Sequence, residues 1–164
     1  KMNKLQKWAF LFICLGIISL TACKDDDDDD DIVPIKSNTE KITGKNFYIA
    51  DFEIKVNGNV EMTFSDLDDC DKDDFSRFEV NGTGVENAGV IKCDQGDPQV
   101  ESFAWLFLTN ETKLQFDFGQ GDIDIFNILV NDGTILKLDQ TYAEDFDNDG
   151  NDDTIIITLT YITK

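Results

Sequence analysis

The chain has 164 residues, of which 14 are basic and 34 acidic; it has no histidine and a net charge of −20 at pH 7. A surface this acidic is a poor partner for nucleic acid, whose binding depends on neutralising phosphates with Lys and Arg. Without histidine there is no Ser-His or Cys-His pair to activate a nucleophile, and carboxylate pairs arise everywhere by chance among so many acids, so the expectation is a protein that is not an enzyme.

The N-terminal segment KMNKLQK (1–7) carries three lysines and no acid, and WAFLFICLGIISL (8–20) is apolar apart from Ser19. A membrane-spanning helix needs about 20 apolar residues, more than this run supplies, whereas a basic start followed by a short apolar core is the pattern of a secretory signal. The segment ends in Leu20-Thr21-Ala22-Cys23, which resembles the bacterial lipoprotein box. The resemblance implies cleavage of residues 1–22, diacylglycerol on the Cys23 thiol and an acyl chain such as palmitate on its amine. The alternative is an ordinary thiol behind an ordinary signal peptide. Two acyl chains suffice for stable anchoring, so the expected partner is a membrane reached through lipid.

Lys24 is followed by seven aspartates, Asp25 to Asp31. A block of like charge repels itself and extends, so residues 23–40 read as a lipidated cysteine and a disordered acidic linker, with the folded domain at 41–164. Lys and acids next to a lipidated Cys also resemble the address that sends lipoproteins to the outer surface in some Gram-negative bacteria. The expected location is the outer membrane, with the domain displayed at the cell surface; a periplasm-facing anchor is the alternative. Residues 32–164 hold 10 basic and 27 acidic residues, a net −17. Anionic headgroups repel such a domain.

The remainder reads as strands. NFYIADFEIKV (46–56) runs into Asn57-Gly58; VEMTFSDLDD (60–69) suits a short helix or a strand; FSRFEV (75–80) meets Asn81-Gly82; GVIKC (89–93), ESFAWLFLT (101–109), TKLQFDF (112–118), DIDIFNILV (122–130), TILKLDQTY (134–142) and TIIITLTYI (154–162) follow. Period-two alternation, β-branched and aromatic enrichment and Asn-Gly or Asp-Gly punctuation indicate an antiparallel all-β domain. Eight strands in meander order close most simply into a barrel, which removes exposed edges; a sandwich is the alternative.

Cys14 leaves with the signal and Cys23 is consumed by lipid, so Cys70 and Cys93 remain, and in an exported protein such a pair reads as a disulfide. A metal pair is the alternative, but there is no histidine and no CxxC spacing to support it. Cys70-Asp71-Lys72-Asp73-Asp74, Phe78, Asn81-Gly82-Thr83, Gly89, Lys92-Cys93-Asp94, Glu101, Trp105 and Leu114 follow one another in an order that resembles the lipocalin-like domain of bacterial lipoproteins. That family has two cysteines flanking a hairpin and a tryptophan in the next strand. The resemblance implies an eight-stranded barrel with a small apolar or amphipathic ligand in its mouth. The Gly-x-Trp signature of true lipocalins is absent, since Gly44 is followed by Lys45-Asn46-Phe47.

An eight-stranded barrel holds either one small ligand or a filled interior, and the eleven phenylalanines beyond the signal, with Trp105, are enough rings to fill it. Two functions therefore stand side by side: a non-enzymatic binding module, or a solidly packed interaction protein whose loops contact a surface protein or glycan. A second candidate site is DFDNDGNDD (145–153). Asp145, Asp147 and Asp149 at alternate positions before Gly150 match the start of a calcium loop, with Asn151 and Asp153 as further oxygen donors. The twelfth position, where an EF-hand places Glu, is Ile156, so calcium would be held in a hairpin loop of low affinity; the alternative is a turn rich in Asp, Asn and Gly.

Overall fold

The computed structural model describes residues 36–164. The candidate signal segment 1–22 with Cys14, the lipidation candidate Cys23 and the aspartate run lie outside them. The described residues belong to one compact unit, Ile35–Lys164, whose core is built from its own side chains.

In chain order the elements are α1 (Asn38–Ile42), β1 (Asn46–Val56), β2 (Asn59–Thr63), a 3-10 turn at Phe64–Asp66, α2 (Asp69–Lys72), β3 (Phe75–Phe78), β4 (Thr83–Asn87), β5 (Val100–Leu108), β6 (Lys113–Gly119), β7 (Asp122–Asn131), β8 (Ile135–Glu144) and β9 (Asp153–Thr163). All strand pairs are antiparallel. The order β1-β3-β4-β5-β6-β7-β8-β9, with β9 returning to β1, closes an eight-stranded barrel, and β2 is one extra strand on β1. β1 serves two partners on the same edge: its first residues, Asn46 to Tyr48, pair with β3, and its last, Glu53 to Val56, pair with β2. The expected all-β barrel is the observed fold.

Alternation decides what faces inward. Phe47, Ile49, Phe52 and Ile54 of β1 stand opposite Thr163, Tyr161, Leu159 and Ile157 of β9, with a bulge between Ile49 and Asp51 that preserves the inward set. Leu114 and Phe116 of β6, Phe126 of β7, and Leu136 and Leu138 of β8 continue the ring of buried side chains. One end is closed by α1. Ser37 caps it with a reciprocal box, its hydroxyl accepting from Glu40 N–H while the Glu40 carboxylate accepts from Ser37 N–H. Ile42 is fully buried in the core, and the Asn131 side-chain amide donates to the Asn38 carbonyl from β7.

Two expectations are corrected. The linker was expected to run to residue 40, but the capping box and the burial of Ile42 make residues 37–40 part of the folded unit. GVIKC (89–93) is not a strand; its place in the barrel is taken by Thr83–Asn87. Val90 is 94% exposed and Ile91 53%, and their N–H groups donate to the Asp73 carboxylate rather than to a ladder. The ambiguous 60–69 stretch divides into the end of β2, the 3-10 turn and the start of α2.

The closed half is packed with rings. Phe78 lies 5.6–5.9 Å, centroid to centroid, from Phe47, Phe103, Trp105 and Phe116, and the Trp105 indole N–H donates to the Thr83 carbonyl at 2.9 Å. Gly84 makes room for this packing: a Cβ there would sit 2.3 Å from the Phe103 ring and 3.0 Å from the Arg77 carbonyl. Gly84→Ala is therefore expected to destabilise the fold by about 1–3 kcal/mol through overpacking, read from urea unfolding curves. Adding Phe103→Leu should recover part of that loss, because the clash falls on the ring.

Candidate functional site

The opposite end of the barrel is open. β3, β5, β7 and β9 begin there, and β1, β4, β6 and β8 end there, so the loop 88–99, the turn around Gly121 and the acidic loop 145–152 all surround one rim. Two hollows lie inside it. One, of about 170 Å³, is lined by Ile49, Asp71, Asp74, Phe75, Ser76, Glu86 and Tyr161. The other, of about 410 Å³, is lined by Phe52, Asp124, Phe126, Gln140, Tyr142, Ile157 and Leu159. Successive inward-facing β1–β9 rungs, Ile49 opposite Tyr161 and then Phe52 opposite Leu159, connect their walls. The rings fill the closed half and leave the mouth hollow.

The same alternation that buries phenylalanines places these polar groups. Ser76 and Glu86 face each other across β3 and β4, two residues along from Phe78 and Gly84. Asp124 stands opposite Phe116, and the Gln140 amide donates to it at 3.5 Å. Burial, with Asp73 and Asp71 nearby, pushes the Asp74 carboxyl up to about 6. Burial, then Glu101 and Asp74, raises Glu86, and burial, with Glu86 beside it, raises the Tyr161 hydroxyl. In each case loss of hydration disfavours the charged form and a like charge adds to it. None of the lining residues is basic.

Cys70 and Cys93 are joined, with Cα atoms 5.2 Å apart and sulfurs 1.98 Å apart. The bond ties α2 to the 88–99 loop beside Asp71 and Asp74, and closing a loop with a sequence separation of 23 contributes roughly 3 kcal/mol in the chain-entropy account. Asp73 fastens the same loop by accepting from Val90 and Ile91 N–H.

The acidic loop gathers Asp145, Asp147 and Asp149, each offering one oxygen within 4.8 Å of the others. The same carboxylates accept backbone N–H donors: Asp145 from Asp149 and Gly150, Asp147 from Asp149, and Asp149 from Asn151. Gly150, at φ 90°, allows the tight reversal. Asn151 turns its side-chain amide onto Asp149 at 3.0 Å. Asp153, expected as a fifth oxygen donor, is committed elsewhere: its carboxylate accepts from Phe146 N–H and from the Asn57 amide at the β1–β2 turn. The arrangement is three carboxylates on a hydrogen-bonded loop, with oxygen chemistry suited to a hard cation.

Sequence reading missed Asp74, Ser76, Glu86, Asp124, Gln140 and Tyr161 as a group. Their signal was present as polar residues sharing the parity of buried positions: Asp124 with Phe126, Glu86 with Gly84, Ser76 with Phe78. Compared with protein-family models and with curated proteins, the chain matches none.

The ionisation of the mouth acids predicts a pH effect. Ordinary carboxyl groups in the unfolded chain lose their protons near 4, whereas folded Asp74 holds its proton to about 6 and Glu86 is raised in the same direction. Between those values the folded state binds more protons, so stability from these groups is full below pH 4 and falls as pH rises through about 6. Glu86→Gln should therefore melt higher than wild type at pH 7.5, with the difference vanishing at pH 4, in calorimetric scans at both values.

Proposed function

We propose that this chain is a lipid-anchored, non-enzymatic binding module of the lipocalin-like kind, holding a small amphipathic ligand in the open half of its barrel. The observation that carries the reading is the division of the interior: rings pack the closed half, while the mouth keeps a hollow of about 410 Å³. Its walls join Phe52, Phe126, Ile157 and Leu159 to Asp124, Gln140 and Tyr142. A mostly apolar concavity with a few convergent polar groups is the usual form of a small-molecule site. The Leu20-Thr21-Ala22-Cys23 box supports attachment through Cys23 at the outer membrane of a Gram-negative cell, and the acidic run after it supports display at the surface. A net charge of −17 over residues 32–164 favours holding the domain off anionic lipid.

The module is expected to be recovered from membranes with the mass of a diacylglyceryl cysteine at residue 23 and, under native electrospray, with a bound amphiphile of a few hundred daltons. A chain without acyl mass would remove the anchor. A clean apo mass together with no uptake of fluorescent fatty acids or fatty alcohols would instead favour an interaction protein acting through its loops.

The convergence of Asp145, Asp147 and Asp149 supports a second, separate reading, a low-affinity calcium loop at the rim. With a dissociation constant of about 1 mM, 10 mM calcium stabilises by about 1.4 kcal/mol. The wild-type melting temperature should rise by a few degrees, and that of Asp147→Ala with Asp149→Ala should not. Equal shifts in both proteins would assign calcium to other acids.

A further inference from the structure

The smaller hollow differs from the larger one in chemistry. Its polar lining consists of three carboxylates, Asp71, Asp74 and Glu86, and two hydroxyls, Ser76 and Tyr161. Ionised carboxylates only accept hydrogen bonds, and hydroxyls can accept as well as donate, so the lining is an array of acceptors with no cation among them. The neighbouring base, Lys72, is turned to Asp69 at 3.7 Å and lies over the Phe64 ring at 5.7 Å. Arg77, beside Ser76 on β3, points its Nε at Glu79 at 2.8 Å.

Two further observations mark the hollow as a place for a ligand. Ser76 is only 7% exposed, lines the cavity, and its hydroxyl makes no hydrogen bond to any described residue. Asp74 Oδ1 is buried and has no partner. Buried polar groups are almost always paired in folded proteins; the unpaired Asp74 Oδ1, with the Ser76 hydroxyl open on the same wall, points to a donor that arrives from outside.

The spacing distinguishes the kinds of cation. Among the described residues, the acidic groups whose oxygens gather closely enough for a bare metal are Asp145, Asp147 and Asp149, with a second group around Cys70, Asp71 and Cys93 whose sulfurs are already bonded to each other. Asp74 and Glu86 belong to neither. Acceptors spread around a cavity suit an ammonium group, which carries three divergent N–H donors. The volume, about 170 Å³, is on the scale of a roughly 150 Å³ cavity that admits benzene, and Ile49 and Phe75 supply apolar wall for a short alkyl stem.

We propose that the hollow bounded by Asp74, Ser76, Glu86 and Tyr161 is the subsite for the ammonium head of a small primary amine. The proposal rests on the binding-module reading above and gives the amphiphile a positive head. The stem runs from this hollow along the β1–β9 wall, from Ile49 and Tyr161 to Phe52 and Leu159, into the larger apolar hollow. Burial, with like charges nearby, raises Asp74 and Glu86, and an entering cation stabilises their ionised forms.

The test is titration of the compact unit 35–164 with n-butylammonium, 1-butanol and butyrate, which share one alkyl chain and differ in the head. Binding is followed by amide NMR shifts and calorimetry at fixed ionic strength. Butylammonium should saturate a single site that perturbs Ser76 and Glu86. Glu86→Gln and Asp74→Asn should weaken it about tenfold or more, the effect of losing a charged hydrogen-bond partner, while Asp122→Asn on the outer rim leaves it unchanged. Melting temperatures at or above wild type verify that the variants are folded. Equal perturbation of Ser76 and Glu86 by butyrate or butanol overturns the proposal, as does butylammonium binding that survives Glu86→Gln. If butanol occupies the Phe52–Phe126 hollow while butylammonium leaves Ser76 untouched, the subsite falls and the binding module stands. If none of the three enters either hollow, both fall.

Discussion

Phe78 is the point on which the barrel's interior is organised. Its ring meets four others at 5.6–5.9 Å, and Phe116 passes the contact on to Phe126 at 5.8 Å. Aromatic pairs of this geometry contribute about 0.5–1.5 kcal/mol each beyond the area they bury. The larger effect is spatial. Five rings on adjacent strands need the whole width of the closed half, and they fit only because β4 presents Gly84 to Phe103. The rings therefore set a floor inside the barrel. What lies above it is lined by whatever the alternation places next: Ser76 beyond Phe78, Glu86 beyond Gly84, Asp124 beyond Phe126, Gln140 beyond Leu138.

That succession sets apolar packing against charge. Acids at inward positions deep among the rings would carry a large desolvation penalty. At the mouth they retain enough water to exist, at the cost of a raised pKa for Asp74 and Glu86. The rim is held by local devices that do not draw on the core: the Cys70–Cys93 bond, the Asp73 clamp on Val90 and Ile91, and the Asp153 bridge between the acidic loop and the β1–β2 turn. Stability is concentrated at the closed end and chemical character at the open one.

Most of this was legible in the sequence where one face of a strand is buried. TKLQFDF and TIIITLTYI show their inward sets directly, because burial on one side enforces alternation. GVIKC failed because an apolar run carries no information about its hydrogen-bond partners, and here a carboxylate 17 residues upstream takes the N–H of Val90. Thr83–Asn87 was missed for the opposite reason: Gly84 and Glu86 occupy inward positions where a strand ordinarily shows apolar residues. The capping box Ser37–Glu40 was readable, but the acidic run before it suggested continued disorder. In the acidic loop the convergence of Asp145, Asp147 and Asp149 follows from their spacing. The diversion of Asp153 does not, because it depends on Asn57, 96 residues away.

The two acidic features at the mouth differ in what a cation would change. In the loop, the carboxylates of Asp145, Asp147 and Asp149 already accept N–H donors from their own backbone, and exposed acids keep most of their hydration. An ion there exchanges one set of satisfied interactions for another, and the net gain is small, which is why affinity in such loops falls in the millimolar range. In the cavity the comparison is different. Asp74 Oδ1 is buried without a partner, beside the Ser76 hydroxyl on the same wall, and a polar group left unsatisfied away from water carries a desolvation penalty. A donor that reaches them removes a cost already present in the free protein. The unmet hydrogen-bonding capacity at this end therefore lies inside the barrel, in the few inward positions where alternation placed oxygen after rings.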